Sequence, residues 1–209
     1  MTRTALAAVA VAAGLVAGQA ALAQITNYDF VIDTAASGIT VDGTVQGFGL
    51  GGDKSAGVDG MIMTRVGDPV PPFRGFKIDD SMFNQLDGMN ITIKNPIPFL
   101  PPLGRIKIDN MIFSLTTGIV PVSATDGSFA STSGIVEFSS GTVNVEVLGS
   151  ILADEDLTGL VVPGIPVEGF LVQEGDNVVL EFPFDLVIEQ PDVFITLSGG
   201  VRATAPVKP

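Results

Sequence analysis

The segment Val178-Val179-Leu180-Glu181-Phe182-Pro183-Phe184-Asp185-Leu186-Val187-Ile188 decides the fold class. Val178, Leu180, Phe182, Phe184, Leu186 and Ile188 share one parity; Glu181, Asp185 and the following Glu189 take the other. An extended chain sends successive side chains to opposite faces, so this is an amphipathic β-strand with one dry face. Gln190-Pro191-Asp192 reads as a turn, after which Val193, Ile195, Leu197, Val201 and Ala203 continue the alternation. A closing hairpin is predicted. Pro183 has no N–H to give a ladder, which places it on an edge or at a bulge, and Gly199-Gly200 predicts a bend or bulge in the return strand.

Working outward, the same period recurs. Ile39, Val41 and Val45 alternate with polar residues, as do Ile91 and Ile93, and Val143, Val145 and Val147. Between Gly104 and Thr116 the apolar parity changes from even (Ile106, Ile108) to odd (Met111, Phe113, Leu115), predicting a bulge or tight turn near Asp109-Asn110. A helical stripe is absent downstream of the N-terminal segment, with one short helical turn expected over Ser81 to Leu86. Gly (25 residues) and Pro (14 residues) punctuate the runs at the spacing of sandwiches and barrels. The proline-rich stretches Asp68–Phe73 and Asn95–Pro102 enclose too little chain for a separate core and are read as rigid edge loops. The expectation is one all-β domain over residues 24–209, an antiparallel β-sandwich or flattened β-barrel.

Residues 1–23 read as a cleaved signal peptide: Arg3, an apolar stretch from Leu6 to Val16, then the small-x-small site Ala21-Leu22-Ala23 before Gln24. Gly14, Gly18 and Gln19 interrupt it, and it falls short of the roughly 20 apolar residues of a membrane span. No transmembrane anchor is therefore expected in the mature chain. Removing 23 of 209 residues leaves 186, and losing Arg3 moves the net charge from −13 to −14. A secreted or periplasmic protein of a bacterial envelope is the simplest setting. A chain of this size buries enough surface to stand without disulfides.

Composition excludes much chemistry. With no Cys and no His there is no thiolate or imidazole metal site and no Ser-His-Asp or Cys-His nucleophile system. Ten basic against 23 acidic residues exclude the dense positive surface of a nucleic-acid binder. Residues 108–201 carry 14 acidic side chains and no Lys or Arg, an acidic face that favours solubility or cation binding. The absence of Trp and the single Tyr28 disfavour a sugar cleft and an outer-membrane barrel. Asp33-Thr34-Ala35 has Ala where aspartic proteases carry Gly, and no second copy exists for the shared-proton pair. No enzyme activity is expected.

The strongest local constellation is Asp154-Glu155-Asp156-Leu157-Thr158-Gly159. Oxygen donors at Asp154, Asp156 and Thr158 followed by Gly resemble the opening of a calcium loop, since a hard cation gathers oxygens around a sharp turn. A bidentate twelfth ligand is missing, because that position is Ile165. The competing expectation is a solvated acidic turn. Gly49–Asp53 reads as a glycine-rich hairpin loop. The 13 Phe with Met61, Met63, Met82, Met89 and Met111 either fill the core or line a cavity for an apolar ligand.

Two family resemblances attach to particular residues. Tyr28 to Ser37, with Ala36 where the family usually carries His, is similar to the opening of YceI-like periplasmic proteins, which implies a lipocalin-like barrel holding an isoprenoid lipid. Gly134–Gly141 (GIVEFSSG), Val179–Asp185 (VLEFPFD) and Thr196–Pro206 (TLSGGVRATAP) resemble secreted PEP-CTERM-associated proteins. That resemblance implies location, and with Val207-Lys208-Pro209 in place of the sorting segment it implies release from the cell. Together these readings give a structural, adhesive or surface-binding role in the envelope or extracellular space, with self-association or envelope components as partners. The alternative is a β-barrel holding an apolar small molecule or lipid.

Overall fold

The computed structural model describes residues 25–68, 71–190 and 193–208. Residues 1–23, read as the signal peptide, and Pro191-Asp192 of the predicted turn lie outside them. Thirteen antiparallel strands run in chain order: β1 Ile25–Ile32, β2 Gly38–Val45, β3 Phe48–Gly52, β4 Ser55–Gly67, β5 Gly75–Gln85, β6 Met89–Ile93, β7 Gly104–Thr116, β8 Val120–Pro121, β9 Ser128–Val147, β10 Ser150–Asp156, β11 Val161–Glu174, β12 Asn177–Gln190 and β13 Val193–Pro206. Among the described residues no helix is long and apolar enough to cross a membrane.

Pairing closes the sheet on itself. The sequence β9–β11–β12–β13–β1–β4–β5–β7 returns to β9, forming a ring around one dry core. Towards the other end the circuit runs β12–β13–β2–β3–β6–β7–β9–β10 instead. Strand β13 makes the exchange: Val193–Gly200 pair with β2, while Ala203 and Thr204 pair with β1. The barrel therefore has two differently built ends. At one lie Ile25, Gly67, Gly75, Pro121, the β11–β12 turn and Pro206; at the other lie the β2–β3, β6–β7 and β9–β10 connections and the pair Gln190↔Val193.

The predicted closing hairpin is present as fourteen uninterrupted pairs from Asn177↔Pro206 to Gln190↔Val193. Val178, Leu180, Phe182 and Leu186 are buried, and Glu181 and Asp185 are exposed. Pro183 is an edge residue rather than a bulge. Strand β11 pairs with β12 only from Glu174↔Asn177 to Phe170↔Glu181, so beyond Glu181 one side of β12 has no ladder to lose. No bulge forms at Gly199-Gly200: the β12 register runs straight through it, and the pairing with β2 ends at Gly200. Gly199 makes room instead. A Cβ on Gly199 would lie 2.6 Å from the Phe184 ring, which packs across that strand.

The phase change in β7 is a bulge, with the register slipping between Asp109 and Ile112 and Asn110 at φ +54°. The helical turn expected over Ser81–Leu86 is not formed: β5 continues to Gln85 and buries Ser81 and Phe83 on one parity. The polar Ser81 disguised that strand. Its hydroxyl donates to the Leu115 carbonyl at 2.9 Å and accepts from the Leu115 amide at 2.6 Å, so the group is satisfied inside. Gly49–Asp53 is mostly strand β3 rather than loop. Met89 and Met111 are buried, whereas Met61, Met63 and Met82 stand on the outer face.

Thr64 is the exception among the buried polar side chains. It is 2% exposed and its hydroxyl has no partner among the described residues. Removing an unsatisfied buried hydroxyl without changing shape relieves a desolvation cost. Thr64→Val is expected to raise the unfolding free energy by about 1 kcal/mol, measured by urea denaturation.

Candidate functional site

Of the three proposed calcium ligands, Asp154 and Asp156 sit on strand β10 rather than in a loop, and only Thr158 lies in the turn that follows. β10 pairs with β9 alone, so this is a sheet edge, and charge on an edge discourages unwanted pairing. The side chain of Asp154 accepts from Asn144 Nδ2 at 3.3 Å across the pair. Asp156 Oδ1 accepts from the Thr158 amide at 2.9 Å and the Thr158 hydroxyl at 2.6 Å. Those bonds hold the Asp156 carboxyl below its ordinary range, the hydroxyl contributing most. Among the described residues no three acidic side chains converge to hold a metal ion. The segment is anchored by Leu157, which is buried and packs over Gly141, and by its amide bonding the Gly141 carbonyl at 2.9 Å. Apolar Leu157 inside an acidic run is the signal that could have placed this turn against the core.

Asp33 lies in the β1–β2 turn, where its carboxylate accepts from the Ala35 amide at 3.0 Å. This is a turn-closing bond. Two other carboxylates are strongly perturbed. The Arg65 guanidinium beside Asp79 holds its carboxyl at about 2, helped by Lys77. Asp126 is also held at about 2, chiefly by the Ser123 hydroxyl and then by Ser128. A carboxyl depressed in the fold contributes stability that is complete above its unfolded value and lost as pH falls through the folded one. The stability difference between wild type and Asp79→Asn is therefore expected to be largest above about pH 4 and to shrink towards pH 2. Urea midpoints measured across that range check it.

The barrel interior is occupied by its own side chains. Phe113 stacks on Phe83 at 4.9 Å and meets Phe138 and Phe184 at 5.7 and 6.0 Å. Beside this aromatic row, between β11 and β12, a void of about 30 Å³ remains, lined by Ile165, Val167, Phe182 and Phe184. That is room for a water or two, far from the roughly 300–1,000 Å³ of ligand sites.

The two barrel ends present the remaining features. At one, the β6–β7 loop projects Ile97, Phe99 and Leu100, and Leu148 lies beside it through its amide bond to the Leu103 carbonyl at 2.8 Å. Phe99 is fully exposed and sits at φ +70°, a region that residues with a Cβ seldom occupy. Asn95 fixes the loop, accepting from the Ile97 amide at 3.0 Å and donating to the Pro101 carbonyl at 3.1 Å. At the opposite end a cleft of about 300 Å³ opens between Pro71–Phe73, the turn Ser123–Gly127 and Leu171–Gln173. Comparison with known proteins found nothing similar: no family model, curated protein or solved structure matches the chain significantly.

Proposed function

We propose that this is an exported, non-enzymatic β-domain protein, secreted or periplasmic after cleavage of residues 1–23, with a structural, adhesive or surface-binding role in the envelope or extracellular space. The filled interior carries the reading. With about 30 Å³ left beside the aromatic row, the barrel spends its inside on stability and meets other molecules with its outside. The lopsided acidic surface and the resemblance to PEP-CTERM-associated secreted proteins support the location. Native mass spectrometry of protein purified from its own host tests the reading. The expected mass is that of residues 24–209 without a lipid adduct; a stoichiometric lipid would replace this reading with the YceI-like carrier.

Calcium at Asp154, Asp156 and Thr158 is tested separately. An ion there must displace the Thr158 hydroxyl and amide from Asp156. We expect no change of melting temperature at millimolar calcium. A rise that disappears in Asp156→Ala would instead assign a calcium site to β10, since selective binding to the folded state stabilises it.

A further inference from the structure

We infer that the outer face of the β4–β5 pair binds a soft monovalent metal ion, Cu(I), through the thioether sulfurs of Met61, Met63 and Met82. Apart from Met1 the chain has five methionines, and the fold divides them. Met89 and Met111 are buried, whereas Met61, Met63 and Met82 are 43%, 41% and 50% exposed. The three exposed ones share a single patch. Met61 is the direct cross-strand partner of Met82, and Met63, two residues on from Met61, stands on the same face. Side chains directly opposite across such a pair have Cβ atoms about 4.5–5.5 Å apart, and diagonal neighbours lie about 7–8 Å apart. An unbranched side chain with three rotatable bonds covers the remainder, so three sulfurs can meet at one ion.

The surroundings favour a cation over an apolar partner. Asp29 on β1 and Asp80 on β5 are both exposed and pair with Met63 from its two sides. A protein docking on the patch would have to strip water from both carboxylates, whereas a positive ion is drawn to them. The cations of these three strands, Arg65 and Lys77, both pair with Asp79. Asp29, Asp59 and Asp80 therefore leave the face net negative. The donors then select the metal. Thioethers are neutral and soft, which suits Cu(I) and not the hard ions that prefer oxygen. A chain without Cys or His holds no stronger donor to draw such an ion elsewhere.

The site goes beyond the structural role proposed above and is tested without reference to it. Ag(I) serves as the probe, being a soft ion that thioethers hold as they hold Cu(I) and that is stable in air. Purified wild-type protein is expected to bind Ag(I) one to one, measured by isothermal titration calorimetry and native mass spectrometry. Met63→Leu and Met82→Leu remove the sulfur at exposed positions while keeping an apolar side chain of similar size, so melting temperatures should not change. Each should weaken Ag(I) binding at least about tenfold, since loss of an outer-shell partner alone costs that much. Cu(I), titrated without oxygen against a chromogenic chelator, should give the same order. In the wild type, Ag(I) should also slow the conversion of Met61, Met63 and Met82 to sulfoxides by peroxide, followed by peptide mass mapping. A wild type that does not bind Ag(I) overturns the proposal, as does binding that both leucine variants retain in full. Binding that survives them but is lost in Asp29→Asn/Asp80→Asn overturns it in favour of a carboxylate site.

Discussion

Phe182→Ala is expected to lower the unfolding free energy by about 3–5 kcal/mol, while Glu181→Ala, one residue away, changes it by less than about 0.5 kcal/mol. Phe182 is 2% exposed and faces the core beside the existing void, so truncation removes transfer energy and enlarges that cavity. Glu181 points outward and its 3.3 Å contact with Arg202 is an exposed pair, which contributes little. Phe184 shares the parity of Phe182 but is only half-buried, because β11 has parted from β12 at that level; Phe184→Ala should fall between the two. Urea unfolding with matched slopes decides the order. Equal effects for Phe182→Ala and Glu181→Ala would mean that the hairpin faces are assigned wrongly.

The second large effect belongs to Gly60→Val, expected to cost about 3–5 kcal/mol or to prevent folding. Gly60 on β4 has φ +137°, and a Cβ there would lie 1.8 Å from the Met82 carbonyl oxygen on β5. The Gly60↔Phe83 pairing must then open. Gly175→Ala is the control. Its φ is +61° but its Cβ would meet nothing within 4 Å, so only the ~1–2 kcal/mol of left-handed backbone strain applies. A Gly60→Val protein no less stable than Gly175→Ala would show that the two strands do not approach this closely.

The strands were legible because each has one wet and one dry face, and that pattern is written in single residues such as Phe182 and Glu181. Partnership was not. Nothing in the Gly38–Val45 sequence marks it as a neighbour of β13, since ladder bonds come from backbone groups that every residue carries. Ser81 misled for a related reason: its polar side chain sits in the core because a distant backbone, at Leu115, satisfies it. The acidic run at Asp154–Asp156 was visible as composition, but its strand geometry depends on Val143 and Asn144 across the pair. The exposed loop at Asn95–Pro102 was foreseen as a rigid edge. The cleft was not, being gathered from three segments between residues 71 and 173.

The exchange of partners along β13 has a kinetic consequence. Ser37 and Arg202 bond to each other across 165 positions, and β1 and β2 both wait for the same late strand. Closing so long a loop costs entropy before any contact repays it, and pairings of this separation fold slowly. A chain emerging amino end first cannot complete the ring until nearly all of it has been delivered. Until then β1 and β2 present unpaired edges and an uncovered apolar face. The architecture thus concentrates the chain's aggregation hazard in the interval before β13 arrives.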